Sequence, residues 1–327
     1  LEIPRDFQVP LFSTGFKAMP IVEIENLTKD FSVGFWKKRP VRALDNLSLQ
    51  VHEGEIFGFL GPNGAGKSTT LKILMHLLHP TSGVARILGK SADTVSMHQA
   101  IGYLPENPYF YDYLTPTELL TYMGKLFGLR QPALSRKVDT LLENVGLSDA
   151  RVLQLRKFSK GMLQRIGIAQ AILNDPEIVF LDEPMSGLDP LGRMEARQII
   201  TSLKARGVTV FFSSHILPDV EAICDRVAIL NRGKLQEVGA LEEILKVRIE
   251  GHEVILGGWT AETVESVQKL CDEVRSMGDR LHLRVGNRKQ MEALLSFVFD
   301  HKLELISANP IRPSLEEHFQ STVGSGQ

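Results

Sequence analysis

Residues 61–68 read Gly61-Pro62-Asn63-Gly64-Ala65-Gly66-Lys67-Ser68, a Gly-x-x-x-x-Gly-Lys-Ser loop between the apolar run Ile56-Phe57-Gly58-Phe59-Leu60 and a helical pattern over residues 69–78. These residue types at this spacing suit the holding of phosphate. Glycine lets successive backbone N–H groups turn inward around the β- and γ-phosphates of a nucleotide. Lys67 adds a mobile cation, and the Ser68 hydroxyl can ligate Mg²⁺ at the positive end of the following helix. Gly61 through Thr69 are therefore the expected nucleotide-binding residues, and Lys67 also counts among the catalytic ones. A glycine-rich turn with no ligand would leave the strand–loop–helix setting without a reason.

A phosphate loop needs a carboxylate at the end of a neighbouring buried strand to hold Mg²⁺ through water. The run Ile178-Val179-Phe180-Leu181-Asp182 supplies one and makes Asp182 the metal-side acid. Glu183 follows, where a carboxylate can polarise the water attacking the γ-phosphate, so it is the general-base candidate. The alternative role for Glu183 is a second, metal-orienting acid.

Positioning these groups calls for an α/β fold. Apolar runs at residues 178–181, 208–212 and 226–230 read as buried parallel strands, alternating with helices over 192–206 and 217–223. Upstream, a short strand (21–26), an aromatic and basic insertion (31–42) and a second strand (43–51) give an antiparallel flank. Residues 112–146 carry helical periodicity in Leu119, Leu120, Met123 and Leu126, then Val138, Leu141, Leu142 and Val145, broken near Gln131-Pro132. A helical subdomain is expected there, spanning about residues 107–165 in all. The main unit is expected over 19–247. Beyond it come a strand (252–256), a helix (261–271), strands (273–277 and 280–285), a helix (288–299) and a strand (303–307). The order βαββαβ predicts a small two-layer α/β domain over 248–320. Residues 321–327 are expected to fray. Residues 1–18 lack the charged and apolar regions of a secretory signal and read as an added or disordered extension ahead of a native start at Met19.

Composition narrows the function. With 327 residues, 43% of them hydrophobic, the chain can bury a large core and a second, smaller one. A net charge of -2, from 37 basic and 39 acidic side chains, gives no polybasic footprint, so no nucleic-acid partner is expected. No run approaches the roughly 20 apolar residues of a membrane-spanning helix. Cys224 and Cys271 lack metal-ligand spacing and read as packed thiols.

Five elements in register resemble an ABC transporter ATP-binding subunit over about residues 20–245. They are the phosphate loop, Phe158-Ser159-Lys160-Gly161-Met162-Leu163-Gln164-Arg165, Leu181-Asp182-Glu183-Pro184, Ser186-Gly187-Leu188-Asp189 and His215. The resemblance implies a P-loop NTPase core of the ABC type, with mixed sheet, antiparallel flank and helical subdomain, hydrolysing ATP with Mg²⁺. It further implies head-to-tail pairing, as a homodimer or with a related ATPase chain. Each ATP then lies between the phosphate loop of one chain and the signature residues Ser159, Lys160, Gly161 and Met162 of the other. Ser159 as a helix N-cap suits that role, because it offers a hydroxyl, free N–H groups and the positive helix end to a γ-phosphate. By the same resemblance His215 sits at a strand end facing the γ-phosphate, its neutral imidazole holding the phosphate and Glu183 or the attacking water. Asp189 couples the two sites across the dimer, and Phe31 stacks on adenine, with Phe35 and Trp36 close by. Polytopic membrane permease subunits are the implied partners. They would hold the chain peripherally at the cytoplasmic face of the inner membrane and dock near the aromatic set Tyr109, Phe110, Tyr111 and Tyr113, expected to be exposed.

Three departures from the family pattern stand out. Lys160 replaces a glycine, Met162 replaces a glutamine, and Glu106, a third candidate metal ligand beside Ser68 and Asp182, replaces a glutamine. Glu106 can still bind Mg²⁺ but adds charge, which predicts a tighter metal requirement and a pH dependence; the alternative is a loop-solvating side chain. The Ser-Lys-Gly-Met form, and the ending Pro313-Ser314-Leu315-Glu316-Glu317-His318-Phe319, resemble an exporter-like branch with a small accessory domain. That implies ATP-driven dimer closure coupled to export of a substrate. A soluble ABC-family ATPase acting on ribosomes or DNA is the alternative, opposed by the near-neutral charge and the single nucleotide domain. A guanine-reading switch is opposed by the lack of an Asn-Lys-x-Asp segment.

Overall fold

The computed structural model describes residues 20–34, 39–246, 251–311 and 315–324; the leading residues 1–18, and Phe35 and Trp36, lie outside these. The chain begins with a long antiparallel hairpin, β1 (Pro20–Val33) and β2 (Arg39–His52). Val22, Ile24 and Leu27 of β1 and Leu44, Leu47, Leu49 and Val51 of β2 are buried. The expected insertion over 31–42 is instead the far end of this hairpin, where Phe31 pairs with Val41 and Val33 with Arg39. Backbone pairing needs no buried face, and Arg42 fixes the exposed ribbon by donating from Nε and Nη2 to the Asp30 carboxylate at 2.9 and 3.1 Å.

The fully buried strand β3 (Ile56–Leu60) feeds the phosphate loop, and α1 (Lys67–Leu74) follows it. The helix stops earlier than periodicity predicts because His76 adopts a left-handed φ of 54°, and the Leu77 N–H turns back to the Lys72 carbonyl at 2.8 Å. Strands β4 (Ser82–Ile87) and β5 (Lys90–Ser91) complete an antiparallel sheet in the order β2-β1-β4-β5.

Next come β6 (Ile101–Leu104), the helices α2 (Pro116–Leu126), α3 (Ala133–Asn144) and α4 (Lys160–Ala171), and β7 (Ile178–Asp182). They are followed by α5 (Pro190–Ala205), β8 (Thr209–Ser214), α6 (Leu217–Ile223), β9 (Arg226–Asn231) and β10 (Lys234–Ala240). The second sheet runs β10-β9-β3-β8-β7-β6 and is parallel apart from its β10-β9 edge. Registers Leu60↔Ser214 and Asp182↔Ser213 align the carboxyl ends of three adjacent strands, so the loops after β3, β7 and β8 open at one edge. Beneath that edge, Phe211 packs against Phe57, Phe59 and Phe180 with ring centroids 5.4, 5.4 and 5.5 Å away. Each such pair contributes about 0.5–1.5 kcal/mol beyond its buried area, which gives the loops a stiff base. Leu119, Leu120, Leu134, Val138, Leu141 and Leu142 of α2 and α3 are buried in the core that lies on the helical side of the sheet.

Downstream lie α7 (Leu241–Lys246), β11 (Gly251–Gly257), α8 (Ala261–Gln268), β12 (Glu273–Met277), β13 (Arg280–Val285), α9 (Arg288–Asp300) and β14 (Glu304–Ile311). They form an antiparallel sheet in the order β12-β13-β11-β14, a βαββαβ unit with the strand order of a split βαβ. Alternating Leu281, Leu283 and Val285 meet Val254, Leu256, Leu294 and Val298 in a core separate from the others. The last helix, α10 (Leu315–Gly324), returns to the larger unit and buries Leu315 in the core there, with His318 Nε2 2.6 Å from Glu237 Oε2. The expected fraying from residue 321 is thus replaced by helix to Gly324. Both cysteines are free thiols, and burial pushes that of Cys271 up to about 11. Among the described residues no helix is long and apolar enough to cross a membrane.

Candidate active site

The loop after β3 is shaped by two glycines in the left-handed region, Gly64 at φ 80° and Gly66 at φ 110°. A Cβ at Gly66 would lie 2.7 Å from both the Ala43 carbonyl oxygen and Leu44 Cδ2, so only glycine fits where the loop crosses β2. Lys67, 5% exposed, donates from Nζ to the Gly61 carbonyl at 2.7 Å and lies 3.3 Å from Glu183 Oε1. Breaking a buried pair of this kind by removing one member costs about 3–5 kcal/mol.

The end of β7 supplies the acids. Asp182 Oδ1 accepts from Ser68 Oγ at 3.2 Å and from Ser213 Oγ at 2.6 Å, and Ser213 Oγ in turn accepts from the Glu183 N–H at 3.0 Å. Glu183 takes φ 51°, a left-handed conformation that costs a non-glycine residue about 1–3 kcal/mol and clusters at functional sites. The carboxylate of Glu183, 7% exposed, meets Lys67 through Oε1 and the His215 Nδ1 through Oε2 at 2.8 Å. Because a carboxylate only accepts, Nδ1 carries the proton. Ser213 is a residue that sequence reasoning missed, although the signal was available. A hydroxyl closing the apolar run Val210-Phe211-Phe212 must find a partner when it is buried.

These groups enclose a cavity of about 540 Å³ lined by Asn63 through Thr69, Glu106, Glu183 and His215, together with Ala43 and Ser186, neither of which was anticipated. Gly61 and Pro62 lie behind it, receiving Lys67 on their carbonyls. Asp182 backs Ser68. Phe31, expected against adenine, does not line this cavity; it stands on the exposed hairpin with the Lys29 ammonium 5.2 Å from its ring centroid. Among the described residues no group of three or more His, Cys, Asp or Glu side chains could cage a metal. The oxygen donors Ser68 and Asp182, with the exposed Glu106 at the rim, fit instead an ion that keeps water and borrows phosphate oxygens, the habit of Mg²⁺.

The signature residues do not line this cavity. Ser159 caps α4, accepting the Met162 N–H on Oγ at 3.2 Å, and Lys160 lies along Gly187, where an added side chain would collide with its ammonium. Asp189 caps α5 through the Gly192 N–H at 2.9 Å. Tyr109, Tyr111 and Tyr113 are exposed, whereas Phe110 is partly buried and packs against the core on the helical side of the sheet.

The ABC transporter family model matches residues 44–186. An ABC transporter ATP-binding protein of Synechocystis sp. is 47% identical over 301 residues, which cover 91% of this chain and 83% of that protein. The chain belongs to the ABC transporter ATP-binding family. The bacitracin transport ATP-binding protein BcrA of Bacillus licheniformis is 35% identical over 87% of this chain and 94% of its own length. A solved structure of the ATP-binding subunit of an ABC transporter superposes with a TM-score of 0.60 at 31% identity, covering 69% of this chain and 92% of that one. ABC cassettes are ATPases that bind ATP, dimerise and work with membrane permease subunits, and this chain carries the cassette fold of mixed and antiparallel sheets.

Proposed function

We propose that this cassette is the ATP-hydrolysing motor of an ABC exporter, closing as a two-chain dimer on ATP and driving separate permease subunits from the cytoplasmic face of the membrane. The Lys67–Glu183–His215 arrangement carries the reading. In it one cation neutralises phosphate charge while one buried carboxylate, held from both sides, accepts the proton of the attacking water. With Nδ1–H committed to Glu183, a neutral His215 presents a bare Nε2. That nitrogen accepts from water, and donates to a phosphate oxygen only as imidazolium. Mg²⁺, held by Ser68 and Asp182 with Glu106 at the rim, would supply charge neutralisation on the β- and γ-phosphates. Ser159 and the first-turn N–H groups of Lys160 and Gly161 are the contacts offered to the ATP of the partner, and Asp189 sits where the two sites communicate.

Export is supported by the Ser-Lys-Gly-Met signature and by relatives from two organisms named for bacitracin transport, which the chain spans almost end to end. Residues 19–247 act as the ATPase unit and 248–320 as an accessory domain. In support, the solved cassette covers 69% of the chain where the Synechocystis protein covers 91%. Glu183→Gln is expected to lower kcat by about 10²-fold or more and to leave an ATP-trapped dimer on size exclusion. Purification from gently solubilised membranes is expected to bring a stoichiometric polytopic protein with the chain. A near-parental rate in Glu183→Gln, or recovery with soluble partners alone, overturns the proposal.

A further inference from the structure

Four residues beyond His215, the first turn of α6 carries a carboxylate that the chemistry above does not use. Asp219 is 3% exposed, its Oδ1 lies 3.5 Å from Arg197 Nη1, and its Oδ2 is buried with no hydrogen-bond partner. Burial raises its carboxyl pKa above the usual carboxylate range, opposed by the charges of Arg193 and Arg197. A buried oxygen without a partner costs stability, and replacing a buried ion pair by apolar side chains is often neutral or stabilising. Stability alone therefore gives no reason for an aspartate here.

Its surroundings supply one. Arg193 and Arg197 stand one turn apart on α5, the helix that Asp189 opens. Arg193 Nε donates at 3.2 Å to the carbonyl of Leu188, within the Ser186–Asp189 turn. On the other side, α6 begins two residues after His215, whose Nδ1 holds Glu183. One carboxylate, on the helix that follows the imidazole, thus faces the helix whose leading turn, in the reading above, faces the second chain. We infer that Asp219, acting through Arg193 and Arg197, is a positioning residue that fixes the His215 segment to the Ser186–Asp189 turn, so that the imidazole is set over Glu183 only when that turn is seated. The inference rests on the catalytic reading of Glu183 and His215.

The test uses the full chain with Asp219→Asn and Asp219→Leu, following kcat, the KM for ATP and the thermal midpoint. The expected result is a kcat lowered about tenfold, a KM within about twofold of parental, and a midpoint lowered only slightly, because the Arg197 left behind is 32% exposed and stays within reach of water. Asp219→Glu, which keeps the charge, recovers part of the rate. Asp219→Asn combined with Arg193→Gln is no slower than the slower single variant, as expected of groups acting as one unit. A parental kcat in both Asp219→Asn and Asp219→Leu, a rate loss that follows a falling midpoint, or multiplying losses in the double variant would overturn the inference. Glu183→Gln measured alongside separates the two readings. A near-parental rate there removes the catalytic assignment and this inference with it, whereas an inactive Glu183→Gln beside an unaffected Asp219→Asn removes only the role of Asp219.

Discussion

The amino ends of α1 and α4 use the same physics to opposite completeness. Each is opened by a small residue that leaves first-turn N–H groups without intrahelical partners. At α1, glycines shape the loop into a cavity already furnished with a buried lysine, a buried glutamate and a histidine. At α4, Ser159 caps an exposed helix start that lies outside that cavity and leans on the Ser186–Asp189 turn. In the proposed function, phosphate affinity resides in one end, while the other acts on a nucleotide brought by a second molecule. On the proposed reading, this asymmetry makes turnover depend on pairing.

The largest effect should come from emptying the finished end. Lys67→Ala removes the cation from the cavity and leaves the Glu183 carboxylate buried beside the His215 ring alone. Loss of ATP turnover below detection is expected, together with a stability loss of up to about 3–5 kcal/mol from the orphaned charge. Nucleotide binding by calorimetry and chemical unfolding would check both; retained binding with full stability would mean that Lys67 does not anchor this end.

Much of that end was legible in the sequence because its parts are local. A phosphate loop needs its glycines and lysine within eight positions, and an acid closing an apolar run is visible as such. What escaped was set by pairing across strands. Ser213 works only because β8 aligns it with Asp182, and Ala43 reaches the cavity only because Gly66 lies against it. The hairpin through Phe31 was misread as an insertion, since an exposed ribbon has no buried face to impose a period of two. In the C-terminal sheet, where one face is buried and the other solvated, the alternation was plain and the order βαββαβ could be read directly.

An intermediate effect is expected at the turn that lies against the α4 end and, through Ser186, lines the cavity at α1. Gly187 takes φ 69°, and a side chain there would run into the Lys160 ammonium. Gly187→Ala should cost about 1–2 kcal/mol for the left-handed conformation, while the flexible lysine tip moves aside with little further loss. If the turn seats the signature end against a partner, ATPase activity falls more than stability does and ATP-dependent dimerisation weakens. Rates that merely follow the unfolding curve would show that the turn is a scaffold.

The smallest and most discriminating comparison sets one helix cap against another. Ser159 and Thr115 cap α4 and α2 in the same manner, each side-chain oxygen accepting an N–H three residues on, from Met162 and Glu118. Replacing either by alanine should cost about 1 kcal/mol by the loss of that bond. In α2 the Glu118 carboxylate also accepts the Thr115 N–H and hydroxyl, which hold its pKa below the ordinary value. Its contribution to stability is therefore present above the usual carboxylate range and lost as pH falls through the lowered value, so Thr115→Ala should matter less in acid than at neutral pH. Thr115→Ala should leave ATP turnover unchanged, because that cap faces no phosphate. Ser159→Ala, equal in stability, should slow turnover at saturating ATP if, as proposed, its hydroxyl and the N–H groups it orders are the ones offered to a second chain's nucleotide. Equal activity in the two variants would reduce Ser159 to a helix cap and leave phosphate recognition to the α1 end alone.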